Sequence, residues 1–141
     1  MTDIVKEINM SIFNTLFGGI KKMPETDNKT TGNERIQRTV HKTISPQQAK
    51  ILMSEGKPFI LLDVRTPEEF ADGHIPNAIL MPDYEISKRA AKELTDKNAL
   101  ILVYCHSGRR AAGAAAALAK MGYSNVNTFG GISDWPYEVV K

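Results

Sequence analysis

Apolar residues recur at every fourth position at the start of the chain: Ile4, Ile8, Ile12, Leu16 and Ile20, joined by Val5, Phe13 and Phe17. That spacing lines one face of a helix, so an amphipathic helix is expected over residues 1–20, fraying at Gly18 and Gly19. Residues 21–38 lose the pattern. They are polar, with Pro24, Gly32 and several Thr, Asn and Lys, and read as a flexible linker. A compact alternation begins at residue 39. A short strand over Val40–Ile44 leads into Ser45-Pro46, a helix start that should run to Glu55 and stop at Gly56. Phe59–Val64 is apolar except for Asp63, as in a strand covered on both faces. Thr66-Pro67-Glu68-Glu69 opens a short helix ending near Gly73. Ala78–Met81 is a further short strand, and Ile86, Ala90 and Leu94 mark the inner side of another helix. Ala99–Tyr104 is the second strongly apolar strand. An alanine-rich helix over Ala111–Met121 closes at Gly122. Val126–Phe129 is the last strand, and the chain finishes through Gly130–Trp135 and Val139-Val140.

Strands and helices that alternate, with buried strands, imply an α/β sandwich built on a parallel sheet over residues 39–141. Ligands in such folds bind beyond the carboxyl ends of the strands. Two segments lie there: Asp63-Val64-Arg65, and the loop that starts at Cys105.

Composition narrows the chemistry. The 141 residues are 42% hydrophobic, enough for a core. Lys and Arg number 18 against 16 Asp and Glu, a net charge of +2, which gives no reason to expect a nucleic-acid partner. There is one cysteine. An intrachain disulfide and a zinc site made of several thiolates are therefore excluded, and with no histidine cluster no metal or other cofactor is expected. A lone thiol suits a reducing compartment, and the N-terminus lacks the basic start and unbroken apolar run of a secretory signal, so the expected location is cytoplasmic. The apolar face of the first helix needs cover, by its own domain, by a second copy or by a partner. Its polar face has few Lys or Arg, which argues against a membrane surface.

The segment from Leu100 to Ala111 carries the chemistry. A buried strand ends in Cys105, a short loop with Gly108 follows, and a helix of strong formers begins. The thiol thus lies near a helix N-terminus and a tight loop, whose unpaired amides bind anions. Arg109 and Arg110 add fixed positive charge. All of this favours an anion on sulfur, and a strand-end position before Gly-Arg-Arg suits an inert core thiol poorly.

Cys105-His106-Ser107-Gly108-Arg109-Arg110 resembles the Cys-x-x-Gly-x-Arg catalytic loop of the rhodanese family. Leu62–Phe70 and Gly73-His74-Ile75-Pro76-Asn77-Ala78 are similar to that family's upstream signature, and Gly130-Gly131-Ile132-Ser133-Asp134-Trp135 to its terminal one. The likeness covers residues 39–141 and implies a three-layer α/β/α sandwich with a mainly parallel five-stranded sheet. It also implies a sulfurtransferase in which Cys105 takes the outer sulfur of thiosulfate or a small persulfide and passes it to cyanide, a thiol or a protein acceptor. His106, Ser107, Gly108, Arg109, Arg110 and Arg65 are then expected around donor and persulfide, with Asp63, Glu69 and His74 as structural support. One of the two adjacent arginines should bind the donor and the other hold the loop. Two other readings stay open. A binding or regulatory module on the same scaffold is disfavoured by the intact cysteine. A phosphatase is disfavoured by the loop, because related phosphatases and arsenate reductases have one more residue between cysteine and arginine.

Overall fold

The computed structural model describes residues 41–141. The helix expected over 1–20, the linker over 21–38 and the first two residues of the domain lie outside the described residues. The elements follow in order as β1 (Lys42–Thr43), α1 (Pro46–Ser54), β2 (Ile60–Asp63), α2 (Pro67–Asp72), β3 (Ile79–Leu80), α3 (Ile86–Glu93), β4 (Ile101–Cys105), α4 (Arg109–Lys120) and β5 (Val126–Gly131). Short 3-10 turns at Asp83–Glu85 and Ile132–Asp134 precede α3 and follow β5.

Local chemistry sets the helix starts. The Ser45 hydroxyl accepts from the Gln48 amide and the Gln48 side chain accepts from the Ser45 amide, a reciprocal cap with Pro46 at the first helical position. Thr66 and Glu69 repeat the device at α2. The alanine-rich helix α4 begins at Arg109, two residues earlier than its alanine run suggests, so both arginines lie in its first turn.

The five strands form one parallel sheet in the order β1-β5-β4-β2-β3. Alternate side chains feed two cores. Leu62, Val64, Ile101, Val103 and Cys105 face α3 and α4, where Ile86, Ala90, Ala111, Ala115 and Leu118 meet them. Leu61, Leu102, Tyr104 and Phe129 face the other way, against Ala49 and Leu52 of α1, Ile75 and Trp135. The small alanines of α4 bring that helix close to the sheet. Leu61, Leu62, Leu102 and Leu118 are at most 1% exposed, and each contributes about 2 kcal/mol of apolar burial. After β2 the chain moves outward to β3; after β4 it moves the opposite way to β5. The two connections diverge between β2 and β4, and that opens a crevice at the carboxyl ends of these strands.

Strands β2 and β3 are shorter than the apolar runs suggest, and β5 is longer. A run of apolar residues marks burial, whereas a strand needs a paired neighbour. Val64 is buried, and its amide makes the last bond to β4, to the Tyr104 carbonyl, before the chain turns toward Arg65. The last strand continues through Gly130 and Gly131 because the pairing register shifts between Val103 and Cys105, which sets Cys105 opposite Gly131.

Candidate functional site

β4 carries Cys105 to the crevice. The residue is 1% exposed, packed against the core beside Val103 and Ala111. Its sulfur is nevertheless not enclosed by apolar atoms alone: the Gly108 amide donates to Sγ at 3.0 Å. Gly108 has φ +116°, a conformation that side chains resist, and that angle turns its N–H back onto the sulfur while starting α4. The thiol therefore sits under a helix N-terminus and inside a reversed loop, an anion-favouring position.

The loop is held from β5. The Ser133 amide donates to the His106 carbonyl at 3.1 Å. Gly131 lies so close beneath that a Cβ there would overlap the His106 carbonyl and the Ser107 nitrogen. The backbone at Gly131 is extended, so the requirement is for space, not for an unusual angle. Gly131 belongs to the terminal signature, and nothing in its position along the chain alone assigns it a role. Consecutive glycines at the end of an otherwise apolar strand were the available signal of close backbone approach.

The paired arginines differ in their contacts. Arg110 makes a two-pronged bond to Glu69, Nη1 to Oε1 at 2.9 Å and Nη2 to Oε2 at 3.0 Å. Glu69 Oε1 also accepts from the Thr66 amide and hydroxyl, so one carboxylate caps α2 and ties it to α4. The bond from Arg110 pulls the Glu69 carboxyl down to about 2; burial opposes this and the Thr66 amide adds to it. Arg110 is correspondingly raised, chiefly by Glu69. Arg109 is exposed and has no hydrogen-bond or ion-pair partner among the described residues. His106 and Ser107 are exposed at the mouth of the loop.

A second network lies beneath, in the buried ends of β2 and β4. Asp63 is fully buried and Arg65 is 4% exposed. Arg65 Nε donates to Asp63 Oδ1 at 2.9 Å, and Nη2 donates both to Asp63 Oδ2 and to the Gly73 carbonyl, each at 2.7 Å. The Tyr104 hydroxyl donates to Asp63 Oδ2 at 2.7 Å and accepts from the Ile75 amide at 3.0 Å. Burial pulls the Arg65 guanidinium down, but the Asp63 bonds outweigh it and leave the group raised. Burial, reinforced by Asp63, pushes the Tyr104 phenol far up, so it stays a neutral donor. Charges this deep are tolerable only when matched in this way. The network fixes the residue preceding Cys105 and the Gly73–Ile75 turn. Arg65 thus reaches the crevice with Nε and Nη2 already engaged. His74 stacks on Phe70 at 3.7 Å and bonds the Phe70 carbonyl through Nδ1, while its backbone pairs with Val140.

Beside the loop lies an open cleft of about 400 Å³, lined by His106, Asp72, Ile132 and Val139 with the flanks of Arg65 and Glu69. Of the expected residues, the structure gathers Cys105, Gly108, Arg110 and Glu69 around the loop and His106 with Arg65 at the cleft. Asp72 and Val139 join the cleft without any signal in the sequence, since a short helix end and a chain tail have no motif of their own, and Ile132 joins it from within the terminal signature. Among the described residues no group of His, Cys, Asp and Glu is arranged to hold a metal, and no helix is long and apolar enough to cross a membrane.

Comparison with known proteins agrees with this geometry. Residues 45–137 match the family model described as "Rhodanese-like domain". The thiosulfate sulfurtransferase PspE of Escherichia coli (strain K12) is 39% identical over 80 residues, 57% of this chain and 77% of that protein. The thiosulfate sulfurtransferase GlpE of Pseudomonas syringae pv. syringae (strain B728a) is 33% identical over 108 residues, 73% of this chain and 98% of that protein. A solved structure described as "rhodanese with anions from E. coli" superposes with a TM-score of 0.57 at 37% identity, covering 60% of this chain and 99% of that one. A five-stranded parallel sheet between helices, a cysteine loop at its crevice and a family match spanning most of the chain lead to one assignment: this protein belongs to the rhodanese-like domain family, with sulfurtransferases among its relatives.

Proposed function

We propose that the protein is a sulfurtransferase that carries sulfane sulfur as a persulfide on Cys105. The observation that carries this reading is the Gly108 amide aimed at Sγ from a loop whose cationic side chain, Arg110, is already bound to Glu69. The Cys105 thiolate attacks the outer sulfur of thiosulfate; the new S–S bond forms as the donor S–S bond breaks, and sulfite leaves with the electron pair. The persulfide keeps one negative charge, which the loop amides receive without rearrangement. A thiolate or cyanide then attacks the outer sulfur, and the electron pair returns to Sγ. Arg109, exposed in the first turn of α4, draws the anionic donor toward the loop. The thiosulfate sulfurtransferases among the relatives support the same donor class.

Steric access favours sulfur over phosphate. With Cys105 at 1% exposure, a donor must offer a slim terminal atom to reach Sγ. A phosphoryl group would also need a guanidinium to neutralise its oxygens, and Arg110 is held by Glu69. The test is intact-protein mass spectrometry after thiosulfate treatment. The expected result is the gain of a single sulfur atom, removed by cyanide and absent in Cys105→Ser. An unmodified wild-type protein, or cysteine-dependent hydrolysis of an aryl phosphate in its place, overturns the proposal.

A further inference from the structure

The cleft beside the loop carries a charge that the donor step does not explain. It is lined by three carboxylate- or guanidinium-bearing residues. Arg65 is matched by Asp63 and Glu69 by Arg110, but Asp72 has no oppositely charged partner among the described residues. Asp72 is exposed at the last position of α2, where the helix dipole disfavours a carboxylate, so helix stability does not account for it. Opposite it the wall is apolar: Ile132 is half-buried and Val139 is 44% exposed. The cleft's volume of about 400 Å³ falls in the range of pockets for molecules larger than an inorganic donor. A negative rim also repels thiosulfate, whereas Arg109 lies on the loop's helix side and attracts it.

We infer that this cleft is the acceptor subsite, and that it selects thiols bearing a positively charged group near the sulfur over anionic thiols. The inference rests on the persulfide reading above. The acceptor's aliphatic stem lies on Ile132 and Val139, its cation faces Asp72, and its sulfur reaches the loop past His106. In the transfer step, the acceptor thiolate forms a bond to the outer sulfur of the Cys105 persulfide. The bond between that sulfur and Sγ breaks, its electron pair stays on Sγ, and the products are the acceptor persulfide anion and the Cys105 thiolate. Charge balances without an added oxidant or reductant.

The experiment charges the full-length protein to completion with thiosulfate, removes the excess, and follows the loss of protein-bound sulfur in single turnover. Three acceptors are compared: cysteamine, 2-mercaptoethanol and 3-mercaptopropionate. Each acceptor's rate in wild type is divided by its rate in Asp72→Asn and in Asp72→Lys, so intrinsic thiol reactivity cancels. Asp72→Asn is expected to slow cysteamine by about two- to fivefold, the range of an exposed ion pair. It should leave 2-mercaptoethanol unchanged and speed 3-mercaptopropionate. Asp72→Lys should widen both effects, and high salt should shrink them. One common ratio for all three acceptors, or no change in any, overturns the inference while leaving the persulfide reading intact. Failure of the wild type to take up sulfur overturns the persulfide reading itself, and the acceptor assignment with it.

Discussion

Glu69→Gln isolates the ion pair that ties α2 to α4, the helix that follows the cysteine loop. Glutamine keeps the reciprocal cap with Thr66, because either side chain can accept from the Thr66 amide. What it loses is the negative charge facing Arg110. In a dry site, lowering the Glu69 carboxyl from 4.5 to about 2 would be worth about 3 kcal/mol. Both side chains are about a third exposed, so solvent screens the pair, and about 1 kcal/mol is the expected contribution. The sign follows from the direction of the shift. Glu69 is depressed in the folded state, so its stabilisation is complete above 4.5, the value it takes unfolded, and disappears as pH falls toward about 2. At pH 7 the variant should melt about 5 °C below wild type. The gap should close across the window from 4.5 down to about 2, where wild type loses the same charge. Thermal melts at half-unit steps of pH measure this directly. A gap that stays constant through the acid range, or a variant that melts above wild type at neutral pH, refutes the assignment of the bond as a stabilising tie.

Two further substitutions probe the loop's supports. Gly131→Ala places a methyl group on the His106 carbonyl, a contact with backbone that cannot swing aside, so it should cost about 3 kcal/mol and cut the rate of persulfide formation at least tenfold; unchanged melting and sulfur uptake would show that the approach of the two backbones is not tight. Tyr104→Phe removes the hydroxyl between Asp63 and the Ile75 amide, leaving a buried acceptor and a buried donor each short of a partner, and should lower the melting temperature by about 10 °C through a loss of about 2 kcal/mol; a loss under 2 °C would contradict the network's role.

Much of this organisation was legible in the sequence because it depends on local rules. Ser45-Pro46 and Thr66-Pro67 announce helix starts through side chain and ring geometry alone, and both starts fall where expected. The central strands β2 and β4 follow from apolar runs that are covered on both faces of the sheet. The cysteine loop shows itself by Cys105 at a strand end, with Gly108 three residues on. What stayed hidden depends on distant parts of the chain. Which arginine anchors the loop is decided by Glu69, 41 residues before Arg110, and nothing in Arg109-Arg110 itself breaks the symmetry. The hydroxyl of Tyr104 meets Asp63 across the same separation, and Gly131 matters only because β5 lies beneath His106.

The distribution of charge around Cys105 gives these pieces a common logic. A buried anion on sulfur needs a positive field, but any arginine free to move would collapse onto it or bind a competing anion. Here two of the three arginines near the loop, Arg65 and Arg110, are matched by Asp63 and Glu69 and act as fixed struts. The field at the sulfur then comes mainly from groups that cannot move: the Gly108 amide and the N-terminal peptide dipoles of α4. Dipoles of this kind favour a singly charged sulfur close by and fade within about one helical turn. They would therefore hold the proposed persulfide firmly yet do little for a large multiply charged ligand in the open cleft. On the proposed reaction that short reach separates its two ends: capture of sulfur at the loop is governed by fixed amides and helped by Arg109, whereas choice of acceptor is left to the cleft's own side chains, where Asp72 has no oppositely charged partner among the described residues.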